Sequence, residues 1–521
     1  MDLPDIVHLI AGFLDQNDRA RLAQVSKFYF QSIMPLAWST VTGAALLFKL
    51  LPGVKIETPG ALAGTETIHL PRNLDTTDFT RFKFYAKFVK HLLFFKNPAV
   101  VTKINRWEVL LRYTGCNILL PSLSSISLGT YWPQSIPHYA WIAAFSSPSV
   151  RRIEIHPLVR RNLPTISSET ASALFNLLID RCPSLESFSI FVDPKQRTSP
   201  LETGFLPDGA YRQGIRDLSF EAIKHVRSLS CTSSIAEYPQ NTFLLLSRFP
   251  KLEVLQMYAS QQDDITNATP FISLEPEAFS RLTKLTLCDF GRHATLSILN
   301  HLTSTAGLIE LTLEINHSQD NNDADSSVDE FYNTMLIPAI CARTSHLTHL
   351  SIRPMLDDKV YVQIDSSAVK LLASLRLKSL TLAKSHAHLE HLSKLFPQIQ
   401  TFRWPDQPVT LNQLWQFVVY HQLEHLSVKL DLSPLHIIEP LRDRAMPPVS
   451  PCVLESDYGN LSQLSQAETQ KLLRHLARLW ARPVILQQIT PFDYPHYDFA
   501  VQRRLEDLNK ELEKARQEFE T

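Results

Sequence analysis

Histidines come in close pairs along this chain: His346 with His349, His386 with His388 and His391, and His421 with His425. Two imidazoles four residues apart can share one face of a helix and offer the edge of a metal site. No cysteine or carboxylate cluster joins them, and His349 and His425 fall at outward positions of short apolar words that read as strands, so no metal is expected. The acidic stretch DNNDADSSVDE (320–330) imitates a calcium loop, with Asp323 and Asp325 at the third and fifth positions counted from Asn321. Its sixth position is Ser326 instead of glycine and its twelfth is Tyr332 instead of glutamate, so the loop geometry fails and an insertion loop is expected. Cys116, Cys182, Cys231, Cys288, Cys341 and Cys452 form no C-x-x-C pair, a pattern of buried thiols in a reducing compartment. No G-x-S-x-G, P-loop or H-E-x-x-H occurs, and only 13 glycines are available for phosphate-cradling loops. The expectation is a non-enzyme without a cofactor.

A chain of 521 residues exceeds one compact core and must be several domains or a repeat array. It is 44% hydrophobic and 20% charged, a folded composition. A formal net charge of -1 argues against nucleic-acid and anionic-membrane partners. The start, MDLPDIVHLI, lacks the basic region of a secretory signal, and no run approaches the roughly 18 apolar residues of a membrane span. Sequons at Asn267, Asn316 and Asn460 are then chance matches, and the expected location is intracellular, cytoplasmic and/or nuclear.

One apolar-x-x-apolar-x-apolar word supplies the organisation. Twelve copies start at Val89, Leu123, Val150, Leu185, Val226, Leu252, Leu282, Leu308, Leu347, Leu377, Ile399 and Leu423. The last two apolar positions have strand spacing with one buried face. Pro121, Pro148, Pro183, Pro250 and Pro397 lie two residues before a word, where a helix hands over to a strand. The preceding stretches read as helices: Ala171, Leu174, Leu177, Leu178 and Cys182 share a stripe, with Ser168 as N-cap. Helix, proline and short strand repeating at about 30 residues resembles a leucine-rich-repeat solenoid, over residues 65–435. The resemblance implies an α/β fold in which stacking neighbours complete the core. The usual asparagine or cysteine after the word is mostly absent.

The period of two also predicts the concave face. Between the last two apolar positions stand Ser127, Ser189, Ser230, Thr286, Thr312, Ser351, Thr381 and Ser427, a ladder of exposed hydroxyls. Glu154, Phe191, Tyr258, Arg353, Arg403 and Lys429 interrupt or flank it. Of these, Tyr258, Arg353 and Arg403 are the candidate target-binding anchors, since Tyr and Arg dominate interfaces.

The first forty residues stand outside the repeat. LPDIVHLIAGFLDQNDRARLAQVSKFYFQSIMPLAW reads as two short helices, one with a stripe of Ile6, Leu9, Ile10 and Phe13, the other with Leu22, Val25, Tyr29 and Ile33. Asp15 is a turn and N-cap between them. So many large apolar residues cannot all be buried in so short a piece, and a partner is needed. The stretch resembles the F-box, the module that docks on Skp1 in SCF (Skp1–cullin–F-box) ubiquitin ligases. Leu3, Pro4, Ile6, Ile10, Leu14, Leu22, Val25 and Trp38 carry that resemblance, together with Ser26 and Ile33. The resemblance implies that the first eight of these bind a Skp1-like adaptor and, through it, a cullin. The first helix is one residue shorter than the common pattern, and Tyr29 replaces a frequent tryptophan. Tyr85 and Ala86, with Val89 and Leu92, look like the segment by which fungal-type F-box proteins lead into their repeats.

The expected organisation is an F-box over 1–41, a linker over 42–64, the repeat over 65–435, a proline-interrupted linker over 436–464 and a helical C-terminal segment over 465–521. In that last segment Ser465 and Glu468 form a capping box. The stripe Leu472, Leu473, Leu476, Leu479 and Trp480 closes the array, and a final helix from about Phe499 packs back on the chain. The implied function is substrate recognition in an SCF ligase, with the target unidentified; the alternative is a leucine-rich-repeat interaction scaffold without a ligase role.

Overall fold

The computed structural model describes residues 3–57, 65–95, 101–130, 138–157, 163–193, 225–235, 239–260, 278–302, 307–317, 327–355, 361–387, 395–418, 422–431, 452–456, 465–479, 483–488 and 499–520. They form two compact units, Met1–Glu253 and Val254–Thr521.

The first unit begins with three helices where the sequence reads as two: α1 (Leu3–Phe13), α2 (Gln16–Ala23) and α3 (Lys27–Ala37). The second expected stripe breaks because Ser26 turns extended and its hydroxyl accepts the Tyr29 N–H at 3.2 Å, capping a new helix. Strands follow: β1 (Thr40–Thr42), β2 (Lys55–Glu57), β3 (Thr65–His69), β4 (His91–Leu93), β5 (Val101–Asn105), β6 (Ser125–Thr130), β7 (Arg152–Pro157), β8 (Ser187–Ile190) and β9 (Ser228–Thr232). A parallel ladder runs β1-β4-β6-β7-β8-β9. A separate small sheet pairs β2 antiparallel and β5 parallel to β3. Helices between the ladder strands cover one face, and buried Trp141 packs there against Phe94 at 4.9 Å and Trp107 at 4.7 Å. Helix Ser168–Arg181 is capped by Ser167, one residue before the expected Ser168, whose hydroxyl takes the Thr170 N–H.

The second unit holds β10 (Val254–Tyr258), β11 (Lys284–Phe290), β12 (Glu310–Asn316), β13 (His349–Met355), β14 (Val362–Ile364), β15 (Ser379–Leu382), β16 (Ser385–Ala387), β17 (Thr401–Thr410), β18 (His425–Asp431), β19 (Cys452–Ser456) and β20 (Val484–Gln488). Its ladder runs β10-β11-β12-β13-β15-β17-β18-β19-β20 and is parallel throughout. Strands β14 and β16 pair beside it.

Each of the twelve words begins two residues before a ladder strand, and its first apolar residue is buried in every case. The carbonyl after that residue accepts two N–H groups of the next repeat: Ser124 O takes Arg151 N and Arg152 N, and Thr348 O takes Lys378 N and Ser379 N. The same joint recurs at Ser39, Lys90, Arg151, Glu186, Thr283, Ile309, Lys378 and Gln400. Ser39 shows that the ladder starts before the first word, at β1, inside the stretch expected to belong to the F-box alone.

Besides β1, two further ladder strands carry no word. β19 lies in the stretch expected to be a linker, and β20 in the segment expected to be helical. Leu454 and Leu486 align with Leu426 of the last word, but the register puts proline at the leading position (Pro451 or Pro483) and a polar residue, Ser456 or Gln488, at the final one. The capping box forms as expected: Ser465 N–H donates to Glu468 Oε2 at 2.8 Å, and Ser465 Oγ accepts the Glu468 N–H at 3.3 Å. Leu472, Leu473 and Leu476 are buried; the Leu479 side chain and Trp480 lie outside the described residues. Helix Phe499–Glu520 packs Leu505, Leu508 and Leu512 inward. Its Asn509 accepts the Leu486 N–H at 2.8 Å and donates to the Leu486 carbonyl at 3.1 Å, holding the side of β20 that faces away from β19. At the other unit's first strand, Gln16 Nε2 donates to the Thr40 carbonyl at 3.2 Å.

Candidate functional site

Helix α1 is turned so that its small residues face in and its large ones face out. Val7 and Ala11 join Ala23, Ile33, Met34 and Ala37 in a buried cluster. Ile6, Leu9, Ile10 and Phe13, spaced for one helical face, point to solvent, with Leu9 66% and Phe13 85% exposed. Val25, 67% exposed, sits in the turn between α2 and α3, so it leaves the expected second stripe and adds to the apolar surface. The Leu22 and Trp38 side chains are half-buried against the inner cluster, and Leu14 is half-buried after α1. The side chains of Leu3 and Pro4 lie outside the described residues.

Polar bonds hold this surface in place. Asp15 caps α2 by accepting the Asp18 N–H at 2.8 Å, as expected. Arg19 Nε donates to the Ala11 carbonyl at 2.7 Å, satisfying one of the orphan carbonyls at the end of α1. His8 Nε2 lies 2.9 Å from the Ser32 carbonyl and ties α1 to α3. Trp38 packs on Tyr85 with ring centroids 4.5 Å apart and planes tilted by 32°, and Phe30 stacks on Phe84 at 6.1 Å, joining the helices to Thr80–Ala86. The sequence reading placed Leu9 and Phe13 on the stripe but left them out of the docking set, although they are its most exposed members.

The second unit's sheet has an open face formed by alternate strand residues. The hydroxyl ladder lies lower in it than expected: Thr286, Thr381 and Ser427 are buried, Thr381 to 6%, because small side chains sink between longer neighbours. Tyr258, expected to be an exposed anchor, is 5% exposed, and its hydroxyl takes a 2.7 Å hydrogen bond from Gln256 Nε2. In the first unit Phe191 is fully buried, not exposed. Period-two spacing assigns a face; it does not say what else covers that face.

Both candidate arginines are paired. Arg353 Nη1 lies 3.3 Å from Glu314 Oε1, whose carboxylate is buried. Arg403 Nη2 is 3.8 Å from Glu455 Oε2, and its Nε is 3.2 Å from His425 Nε2, which is also 2.9 Å from Glu455 Oε2. One ring nitrogen cannot donate to Glu455 and accept from Arg403 together. The shorter contact selects donation to the carboxylate. Burial pushes the Glu455 carboxyl upward, but the His425 hydrogen bond, the Arg403 charge and the Ser427 hydroxyl outweigh it and hold it below the usual glutamate range. Lys429, two residues beyond Ser427 on the same face of β18, is exposed. Glu314 and Glu455 escaped the sequence reading: the first stands just past its word, and the second on a strand with no word.

Among the described residues no three metal-binding side chains come together. His388, His391 and His421, like most of the acidic stretch, lie outside them. Burial pushes the Cys231 thiol up to about 12 and those of Cys182 and Cys341 to about 11, which suppresses thiolate chemistry at these positions. No described helix is long and apolar enough to cross a membrane.

No protein-family model matches the chain, and no curated protein is similar to it. Among solved structures it is similar to the leucine-rich repeat-containing protein LegL7 of Legionella pneumophila, at 13% identity and TM-score 0.29, covering 74% of this chain and 97% of that one. An internalin of Listeria monocytogenes matches at 12% identity and TM-score 0.29, over 71% of this chain and 83% of that one. A TM-score of 0.29 is too low to assign a fold. The repeat architecture rests on the strand register.

Proposed function

We propose that this chain is the non-catalytic substrate-recognition subunit of an SCF-type ubiquitin ligase in a reducing intracellular compartment. The α1–α3 helices would hold a Skp1-like adaptor, and through it a cullin, while the leucine-rich-repeat-like open face holds a target protein. The observation that carries this reading is the outward set Ile6, Leu9, Ile10 and Phe13 with Val25: five large apolar side chains exposed on a bundle whose interior is already filled by Val7, Ala11, Ala23, Ile33, Met34 and Ala37. Burying each under a partner is worth about 1.5–3 kcal/mol. The chain's part in ubiquitin transfer is positioning, which raises the effective concentration of the target's lysines without altering any bond.

The test is co-purification of a Skp1-like adaptor with the full chain and with the double variant Ile10→Ala/Phe13→Ala. The variant is expected to lose the adaptor while keeping the parent's melting temperature, because both side chains are exposed. Equal capture by the two proteins would sink the reading.

One observation favours a second reading. Gln16 reaches the free side of β1, so the helices also cap the ladder, as they would in an interaction scaffold with no ligase role. Proteasome inhibition separates the two, since ligase targets accumulate on the chain under the inhibitor and scaffold partners do not.

A further inference from the structure

We propose that the stretch of open face spanning β15, β17 and β18 receives an acidic segment of the partner polypeptide, its carboxylates met by Arg403 and Lys429. This rests on the reading that the open face receives the target, and it supplies the chemistry of what is received.

The register sets Arg403 between Thr381 of β15 and Ser427 of β18. Both flanking side chains are buried and small, so the guanidinium stands above its neighbours, with its side chain 35% exposed. Lys429 lies on the neighbouring strand, roughly 8 Å away along the diagonal by sheet geometry. Among the described residues it has no ion-pair partner. Two cations thus stand over a floor of hydroxyls, a shape that admits an extended chain.

The acidic groups nearby are already engaged, including Asp431, two residues beyond Lys429 on the same face of β18. Glu455 is covered by His425 and Arg403. Asp406, in the bulge of β17, accepts the N–H of Lys384, in the short connection between β15 and β16. Glu455 contacts Arg403 only through Nη2, at 3.8 Å, and thereby orients the guanidinium without saturating its five donors. The charge offered to a visitor is positive, and a carboxylate matches it.

The experiment uses the purified full chain and fluorescently labelled hexaglutamate, hexalysine and serine–glycine peptides, followed by anisotropy at low ionic strength. Hexaglutamate is expected to bind, the other two to bind at least tenfold more weakly, and added salt to weaken the complex. Arg403→Gln and Lys429→Gln are each expected to weaken hexaglutamate by about three- to fivefold, the usual worth of one exposed charge contact. Arg403→Gln also removes a partner of buried Glu455, so Lys429→Gln, an exposed change, keeps the test valid if the first variant folds poorly. Lys370→Gln, on a helix, is expected to bind like the parent. The proposal is overturned if hexaglutamate binds no better than the other peptides, if Lys429→Gln binds like the parent, or if Lys370→Gln weakens binding equally. Adaptor capture measured on the same preparations separates the two readings. Captured adaptor without peptide binding defeats this proposal alone, whereas loss of the adaptor defeats the receptor reading.

Discussion

At Glu455 a carboxylate is kept inside the fold by His425 and Arg403, and its pKa lies below the ordinary value. A group depressed in the folded state stabilises the fold above its unfolded pKa, about 4.3 for glutamate, and that contribution is lost as pH falls through the folded value. Glu455→Gln is therefore expected to cost about 1.5–3 kcal/mol at neutral pH, the worth of hydrogen bonds to a charged group. In denaturant titrations the gap between parent and variant should close below about pH 4; a gap that widens on acidification would contradict the depressed pKa. Leu380 and Thr381 make a second test. Leu380→Ala is expected to cost about 2–5 kcal/mol as a buried truncation. Thr381→Ala, which spacing alone treats as an exposed change, should cost about 1 kcal/mol because the side chain is buried. Side chains such as Thr381, Tyr258 and Phe191 mark the limit of periodicity. Alternation reports direction reliably, while burial also depends on the length of the neighbours, which no local pattern encodes.

Among the elements, the strands were more legible than the helix boundaries. Every word in the sequence marks a strand because its leading apolar residue plugs the core where the chain turns, and the two following apolar positions share a face. β19 and β20 stayed hidden because Pro451 and Pro483 stand at that plug's position and Ser456 and Gln488 replace the last apolar residue. β1 stayed hidden because its leading position is Trp38, already used by the F-box resemblance. Helix boundaries depend on single capping atoms, which explains both the split between α2 and α3 at Ser26 and the one-residue error at Ser167. The caps give a direct test: Ser167→Ala should destabilise by about 1 kcal/mol, whereas Ser168→Ala should change little. Equal losses in thermal melts would show that the Ser167 bond is not the operative cap.

For the whole molecule, the sequence reading placed the repeat, the outward stripe of α1 and a helical C-terminal cap, but missed the side-chain amides that meet the first strand of one unit and the last strand of the other. Gln16 and Asn509 lie in helices with no sign of strand pairing, and each acts on a strand distant in sequence. A chain ending at residue 498 would lose Asn509 together with Leu505, Leu508 and Leu512. It is expected to self-associate in sedimentation experiments at concentrations where the full chain does not, because an uncovered strand edge pairs with other chains. In the second unit each ladder strand from β10 to β19 passes its outward N–H and C=O to a successor, and at Leu486 that pair is answered by one amide side chain instead. Asn509 thereby fixes a copy number: a carboxamide carries the same donor and acceptor as a peptide unit but no further backbone, so it can receive the last strand and has nothing to hand on.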